Sequence, residues 1–367
     1  MIEMWRLLRP DSLSVAGEAG ARQSLGRYFD VMEDRKLAKF IIARRLEAEP
    51  FGDAVTEGEL WDEHRRLAER YAVVEREADS GALKLSELGS PSWSFLDLKA
   101  ELGHRILAGC RLCIRGCGAD RLAGKAGYCK CGEQIEVSSI FKHIGEEPEL
   151  VPSGTIFTMG CTLTCRHCQN WGISQWAEKG KAYTAEGLAR EVDGLRAAGC
   201  RNANLVGGDP TPWLPQWMDV FRHVSLNVPV VWNSNSYYSE ESARLLSGFA
   251  DVYLLDFKYG PGDCAERISD SPGYWEASKR NHLIAKACGE LIVRVLVLPG
   301  HLECCTRPII EWIATNLGAG TRVNLMFQYR PEWRARELPE LGRRLTDAEK
   351  RRAIQLADAS GLSNYII

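Results

Sequence analysis

Cys161, Cys165 and Cys168 lie in the segment Cys161-Thr-Leu-Thr-Cys165-Arg-His-Cys168, a C-x3-C-x2-C spacing. Zinc favours four closed ligands in paired C-x2-C arrangements, and a [4Fe–4S] cube bound wholly by protein takes four thiolates. Three close cysteines on one short turn fit a cube with one iron left open to another ligand. Upstream, Cys110, Cys113, Cys117 and Cys129 form C-x2-C-x3-C-x11-C, with Cys131 close behind. Four thiolates suit either a second, fully ligated [4Fe–4S] cluster or structural zinc, and spacing alone does not choose the metal. Gly116, Gly118, Gly124 and Gly127 surround this set, as expected where backbone wraps a bulky group.

The chain carries 13 cysteines in 367 residues, and eight of them fall between Cys110 and Cys168. In a reducing compartment such clusters read as metal ligands or redox groups rather than disulfides. A net charge of −3 gives no basic field for nucleic acid and no acidic tail for a charged partner. Residues 1–12 include Arg6, Arg9 and Asp11 and lack the apolar core of a secretory signal. No apolar run approaches the roughly 20 residues that span a bilayer. The expectation is a cytoplasmic protein with neither a nucleic-acid nor a membrane partner.

These ligands need a scaffold. From Ser153 onward, short β-branched runs alternate with amphipathic stretches. Candidate strands are 154–159, 202–206, 228–232, 251–257, 291–297 and 322–326. Candidate helices begin after Thr184 and at Ser239-Glu240-Glu241, and others cover Tyr274 to Ala287 and Pro308 to Asn316. Six βα units are too few for a closed eight-stranded barrel, so an α/β fold with a partial, open (β/α)6 barrel is expected. Thr346-x-x-Glu349 is a capping box for a final helix to about Ser360. Four segments follow: a helical N-terminal extension (1–105), a cysteine-rich segment (106–152), the barrel core (153–335) and a C-terminal helix (336–367). In the extension, Leu37, Phe40, Ile41 and Leu46 mark one helix, Trp61, Leu67, Tyr71 and Val74 another, and Phe95, Leu98, Leu102 and Ile106 a third. Such stripes serve either as packing surface or as a docking module.

The triplet on the loop after the first barrel strand resembles the radical S-adenosylmethionine (SAM) superfamily. From Cys110 to Pro331 the chain is similar to the PflX-like family, related to pyruvate formate-lyase activating enzyme. The shared stretches are Cys110-Arg-Leu-Cys113, Gly127-Tyr-Cys129, Gly207-Gly-Asp-Pro210, Trp232-Asn-Ser-Asn235, Asp256-Phe-Lys258-Tyr-Gly260 and Leu298-Pro-Gly-His-Leu-Glu-Cys-Cys305. The resemblance implies a [4Fe–4S] cluster on Cys161, Cys165 and Cys168 whose open iron takes the amino and carboxylate groups of SAM. Reductive cleavage then gives a 5′-deoxyadenosyl radical that abstracts hydrogen from substrate. It also implies that the Gly207-Gly208 backbone meets the methionine amino group and that His167 lies near adenine. Asn233 and Asn235 would reach the ribose hydroxyls. Lys258 and Arg294 would pair with the SAM carboxylate, and Asp256 would hydrogen-bond nearby. Asn233 stands where the activating enzyme has an acidic residue at a monovalent-cation site.

Other residues leave more open. Cys304-Cys305 follows the fifth barrel strand and suits hydrogen-atom donation, ligation or plain packing. Cys200, Cys264 and Cys288 are isolated in sequence and read as structural. His143, Glu146 and Glu147 lie in the segment before the barrel. Asp209, Tyr237-Tyr238 and Gln328-Tyr329-Arg330 are expected near the mouth of the barrel, as site or packing residues. There is no D-x-H-x-x-G signature of a cobalamin domain, and no cysteine follows Cys305. The leading function is hydrogen abstraction from a protein or peptide, as glycyl-radical activases perform it, with a flavodoxin- or ferredoxin-type electron donor. The alternatives are action on a small metabolite or lipid precursor and, in another class, a non-catalytic iron–sulfur or zinc sensor.

Overall fold

The computed structural model describes residues 4–84 and 87–367. Residues 1–3, 85 and 86 of the expected N-terminal extension lie outside the described residues. Nine strands form one open sheet: β1 (Glu136–His143), β2 (Ser153–Thr158), β3 (Lys181–Ala182), β4 (Ala203–Gly207), β5 (Val230–Ser234), β6 (Val252–Asp256), β7 (Glu290–Leu296), β8 (Arg322–Met326) and β9 (Tyr365–Ile366). Their order is β3-β1-β2-β4-β5-β6-β7-β8-β9. From β2 to β9 every pairing is parallel, and β1 pairs antiparallel with both β2 and β3. The six expected strands are therefore β2 and β4 to β8, and the sheet is the open partial barrel. β1, β3 and β9 were not expected. β1 is half-exposed and bulged near Val137, so its polar residues blur the alternation.

Helices cross between the parallel strands, and their starts carry the expected caps. Thr184 accepts from Gly187 N–H, Ser239 accepts from Ser242 N–H, and Thr346 and Glu349 close a full capping box at the helix Asp347–Ala359. The helices Leu214–His223 and Cys264–Ser269 escaped sequence reading; the first has Trp213 in place of a polar cap and Pro215 in its first turn.

One face of the strands explains how the site is built. Successive side chains alternate across a strand, so Val231 and Asn233, then Val252, Leu254 and Asp256, then Ile292 and Arg294 share one face. The lower residues of each series are apolar and pack with Ala21, Leu25, Tyr28 and Phe29 of the helix Ala19–Met32. That N-terminal helix plugs the lower end of the barrel, and the polar residues are left at the upper, C-terminal end. The rest of the extension joins the outer core: Phe40 meets Phe221 with ring centroids 4.9 Å apart, and Gly103 lies so close to Pro215 that a Cβ would fall 2.9 Å from its Cγ.

Candidate active site

The cluster turn leaves β2 and returns over the C-terminal ends of the strands. Cys161, Cys165 and Cys168 line a cavity of about 350 Å³ together with His167, Gly207, Gly208, Asn233, Asn235, Asp256, Lys258 and Arg294. Every residue that the resemblance assigns to cluster or SAM thus converges on one volume. His143 and Glu146, from the end of β1 and the segment after it, also line the cavity, as does Gln328 after β8.

The glycines are required by close approach. A Cβ on Gly208 would overlap the Gly160 carbonyl oxygen, and one on Gly207, whose φ is +143°, would overlap backbone atoms of Thr158. The cradle under the cluster turn therefore exists only because both residues lack side chains. Asp209 does not line the cavity. It is buried and accepts from Thr211 N–H, Ser234 Oγ at 3.0 Å and Asn235 N–H at 2.8 Å, which ties the loop after β4 to the loop after β5. Asn235, held this way, donates from Nδ2 to Thr162 Oγ1 at 2.9 Å and toward Cys161 Sγ at 3.5 Å.

The charged groups are already matched to one another. Lys258 Nζ reaches Asp256 Oδ2 at 2.5 Å, Arg294 Nε reaches Oδ1 at 2.7 Å, and Arg294 also donates to Asn233 Oδ1. Burial pushes the Asp256 carboxyl up, but Arg294 and Lys258 outweigh it and hold the carboxyl below its ordinary value. Glu146, which also lines the cavity, stands 3.9 Å from Arg294, so the two cations are set against two carboxyl groups. Burial, with Lys258 adding to it, lowers His167 to about 3, so its ring is neutral. Its Nε2 meets the Tyr259 hydroxyl at 2.9 Å.

Two readings that the sequence left open between site and packing resolve here. Tyr237 and Tyr238 do not flank the cavity: both are buried, and the Tyr237 hydroxyl donates to Pro272 O at 2.6 Å. Tyr329 turns inward to donate to Leu341 O, and Arg330 is exposed, which leaves Gln328 alone of that trio on the cavity.

The family model of the radical SAM superfamily matches residues 155–313. Over 344 residues the chain is 41% identical to the uncharacterized protein MJ0674 of Methanocaldococcus jannaschii, an alignment covering 92% of this chain and 98% of that one. The chain belongs to the radical SAM superfamily. It is a radical SAM enzyme, and membership implies a [4Fe–4S] cluster and SAM. The triplet fits a cluster. Its three cysteines line one cavity, Cys161 and Cys165 buried and Cys168 partly so. Burial pushes the Cys165 thiol up to about 11 despite Lys258, so it would ligate a cluster iron only by giving up its proton. No helix among the described residues is long and apolar enough to cross a membrane.

The upstream cysteines also gather. Cys110, Cys113, Cys117 and Cys129 line one small cavity with Thr162, the residue after the first cluster cysteine. A Cβ on Gly127 would fall 2.6 Å from Cys117 Sγ. The constellation that sequence reading missed is Cys264, His301, Cys304 and Cys305, whose ligand atoms all lie within 4.8 Å of one another. Cys264 stands 37 residues before His301 and was taken as structural; the shared Gly-His-Leu-Glu-Cys-Cys stretch was the one available signal.

Proposed function

We propose that this radical SAM enzyme cleaves SAM at a cluster held by Cys161, Cys165 and Cys168 and acts on a protein or peptide, as activating enzymes related to the PflX-like family do. The observation that carries the reading is the convergence of the three cysteines and eight polar or glycine positions on one cavity. When bound, the cluster supplies one electron to the sulfonium of SAM and so yields a 5′-deoxyadenosyl radical for hydrogen abstraction.

The chain's own residues bind and orient. The Gly207-Gly208 backbone admits the methionine moiety without side-chain obstruction. Lys258 and Arg294 offer charged donors to its carboxylate. Neutral His167, held by Tyr259, offers a flat edge for adenine, and Asn233 and Asn235 offer amides for the ribose. A macromolecular substrate is supported by the rim: Trp171 and Trp333 stack with centroids 4.8 Å apart, and both are exposed. Arg334 N–H donates to Arg166 O, which attaches that rim segment to the cluster turn. Exposed paired indoles are the side chains enriched where proteins dock.

Cys110, Cys113, Cys117 and Cys129 are read as ligands of an auxiliary [4Fe–4S] cluster. Four thiols lining one small cavity supply the full ligand set of such a cube. Their proximity to Thr162 suits relay of electrons from a flavodoxin- or ferredoxin-type donor. The variant lacking all three triplet cysteines, purified anaerobically, is expected to keep about four irons per chain and an electron paramagnetic resonance signal indifferent to SAM. Zinc at these four cysteines, with no iron, would refute this cluster.

The decisive test of the whole reading uses reduced, reconstituted enzyme. Wild type is expected to release 5′-deoxyadenosine and methionine, and Cys165→Ala is not. With peptides carrying a central glycine, turnover should rise and a glycyl-radical signal appear. Turnover only with small metabolites would move the assignment to the metabolite class.

A further inference from the structure

We propose that Cys264, His301, Cys304 and Cys305 bind one zinc ion in a closed tetrahedral site that clasps two loops at the mouth of the barrel. The ligands come from the start of the helix Cys264–Ser269, after β6, and from the segment 301–305, after β7. Their donor atoms all lie within 4.8 Å of one another.

The spacing is that of a mononuclear site. Tetrahedral zinc, with bonds of about 2.3 Å to sulfur and about 2.05 Å to nitrogen, sets sulfurs about 3.8 Å apart and sulfur from nitrogen about 3.5 Å. Cys264 Sγ lies 3.8 Å from Cys304 Sγ, and Cys304 Sγ lies 3.9 Å from Cys305 Sγ. His301 Nδ1 lies 3.5 Å from Cys264 Sγ and 3.4 Å from Cys304 Sγ. Four of the six edges agree with the ion's geometry, and the other two lie within 4.8 Å. Four protein ligands leave no open position, which is the mark of a structural site.

The histidine is oriented for the task from its far side. His301 Nε2 is buried without a hydrogen-bond partner, and it faces Glu340 Oε1 at 3.7 Å. Glu340 is itself held by Arg267 at 2.7 Å. A carboxylate opposite Nε2–H keeps the Nδ1 lone pair free for a metal, the usual arrangement behind a ligating histidine. The turn is also built around the sulfurs. Residues Leu302–Thr306 form a wide π-type turn in which Cys305 N–H and Thr306 N–H both return to His301 O. Gly260 lies against it, where a Cβ would overlap Cys304 O. On binding, three thiols give three zinc–sulfur bonds and release three protons, with no change of oxidation state.

The clasp bears on the loop that holds Lys258 and Tyr259. It does not depend on the substrate proposed above. Full-length wild type, grown with iron and zinc and purified anaerobically, is expected to hold about one zinc per chain. The Cys161, Cys165, Cys168 triple alanine variant and Cys113→Ala should keep that zinc. Cys304→Ser, altered at an exposed ligand, should lose it and keep its iron. Should Cys304→Ser fold poorly, two measurements on wild type decide. Cobalt(II) loaded in place of zinc should give thiolate charge-transfer and tetrahedral d–d bands. Iodoacetamide should label Cys304 only after chelation. Zinc that follows Cys113 instead, a single iron at this site, a Cys264–Cys304 disulfide, or labelling of Cys304 indifferent to chelator would each overturn the proposal.

Discussion

The turn Cys161–Cys168 and the paired loops carrying Cys264 and His301–Cys305 both touch the segment Tyr259-Gly260: His167 bonds to the Tyr259 hydroxyl, and Gly260 lies against Cys304. One set offers three sulfurs spread around a cavity of about 350 Å³, and the other gathers four donor atoms within 4.8 Å. Three protein ligands would leave a [4Fe–4S] cube one open iron beside that volume, so the first set is suited to bring a second molecule to a metal. Four protein ligands would close a tetrahedral ion in the second, an arrangement that holds protein to protein. Neighbouring ligand sets thus separate into chemistry and scaffold by ligand number and adjoining cavity.

The largest expected effect breaks each site through its glycine. In Gly208→Ala the new methyl meets the Gly160 carbonyl and lies 2.8 Å from Ser174 Cα, both backbone atoms. The cluster turn must move, at a cost of about 3 kcal/mol or more. Gly260→Ala forces Cys304 away in the same manner. Gly208→Ala is expected to lose catalytic iron while retaining zinc, and Gly260→Ala the reverse. Metal analysis together with thermal unfolding checks this. Parallel loss of both metals in either variant would mean that the two sites are one cooperative unit and that the comparison fails.

The two sites also differed in how far sequence could reveal them. Cys161, Cys165 and Cys168 fall within eight residues on one turn, so spacing alone implied a shared metal. Lys258 and Arg294 were legible because they end strands whose β-branched runs and caps were regular. Their joint grip on Asp256 was not, because it depends on the register pairing Asp256 with Arg294 across β6 and β7. Cys264 was invisible for a similar reason: its helix has no side-chain cap, and only the return of the chain through β7 carries it to Cys304. The helix Ala19–Met32 has a break in its helical dihedrals at Leu25 and no side-chain cap, so nothing local announced that it plugs the barrel. Contacts between segments far apart in the chain have no periodicity to betray them.

A smaller effect sharpens the open side of the comparison. Lys258 and Arg294 share Asp256, and Lys258→Ala removes one of the two cations at the cavity. Losing a charged partner in a desolvated pair costs roughly 2–5 kcal/mol, so SAM binding should weaken by about 30-fold or more. Equilibrium dialysis under anaerobic conditions reads this, and iron and zinc contents should stay unchanged. Unaltered affinity would transfer the carboxylate to Arg294 alone.

The smallest effect tests whether the open site is tuned by its surroundings. Cys168 Sγ meets Ser174 Oγ at 3.2 Å, and Gln175 Nε2 donates to that same hydroxyl oxygen at 3.2 Å. With its oxygen already accepting, Ser174 turns its proton toward the sulfur. A donor at a cluster thiolate favours the reduced, more negative state, so its loss should make the potential more negative. If the bond is worth roughly 1 kcal/mol more in the reduced state, Ser174→Ala should shift the one-electron potential by about 40 mV. Redox titration of the triplet cluster, with the four upstream cysteines replaced by alanine, isolates the signal. Zinc content should not change, because Ser174 touches the cluster turn and not the clasp. An unchanged or more positive potential would mean that Ser174 does not donate to Cys168, leaving Asn235 and the Leu163 N–H, which both point at Cys161 Sγ, as the donors to the cluster turn.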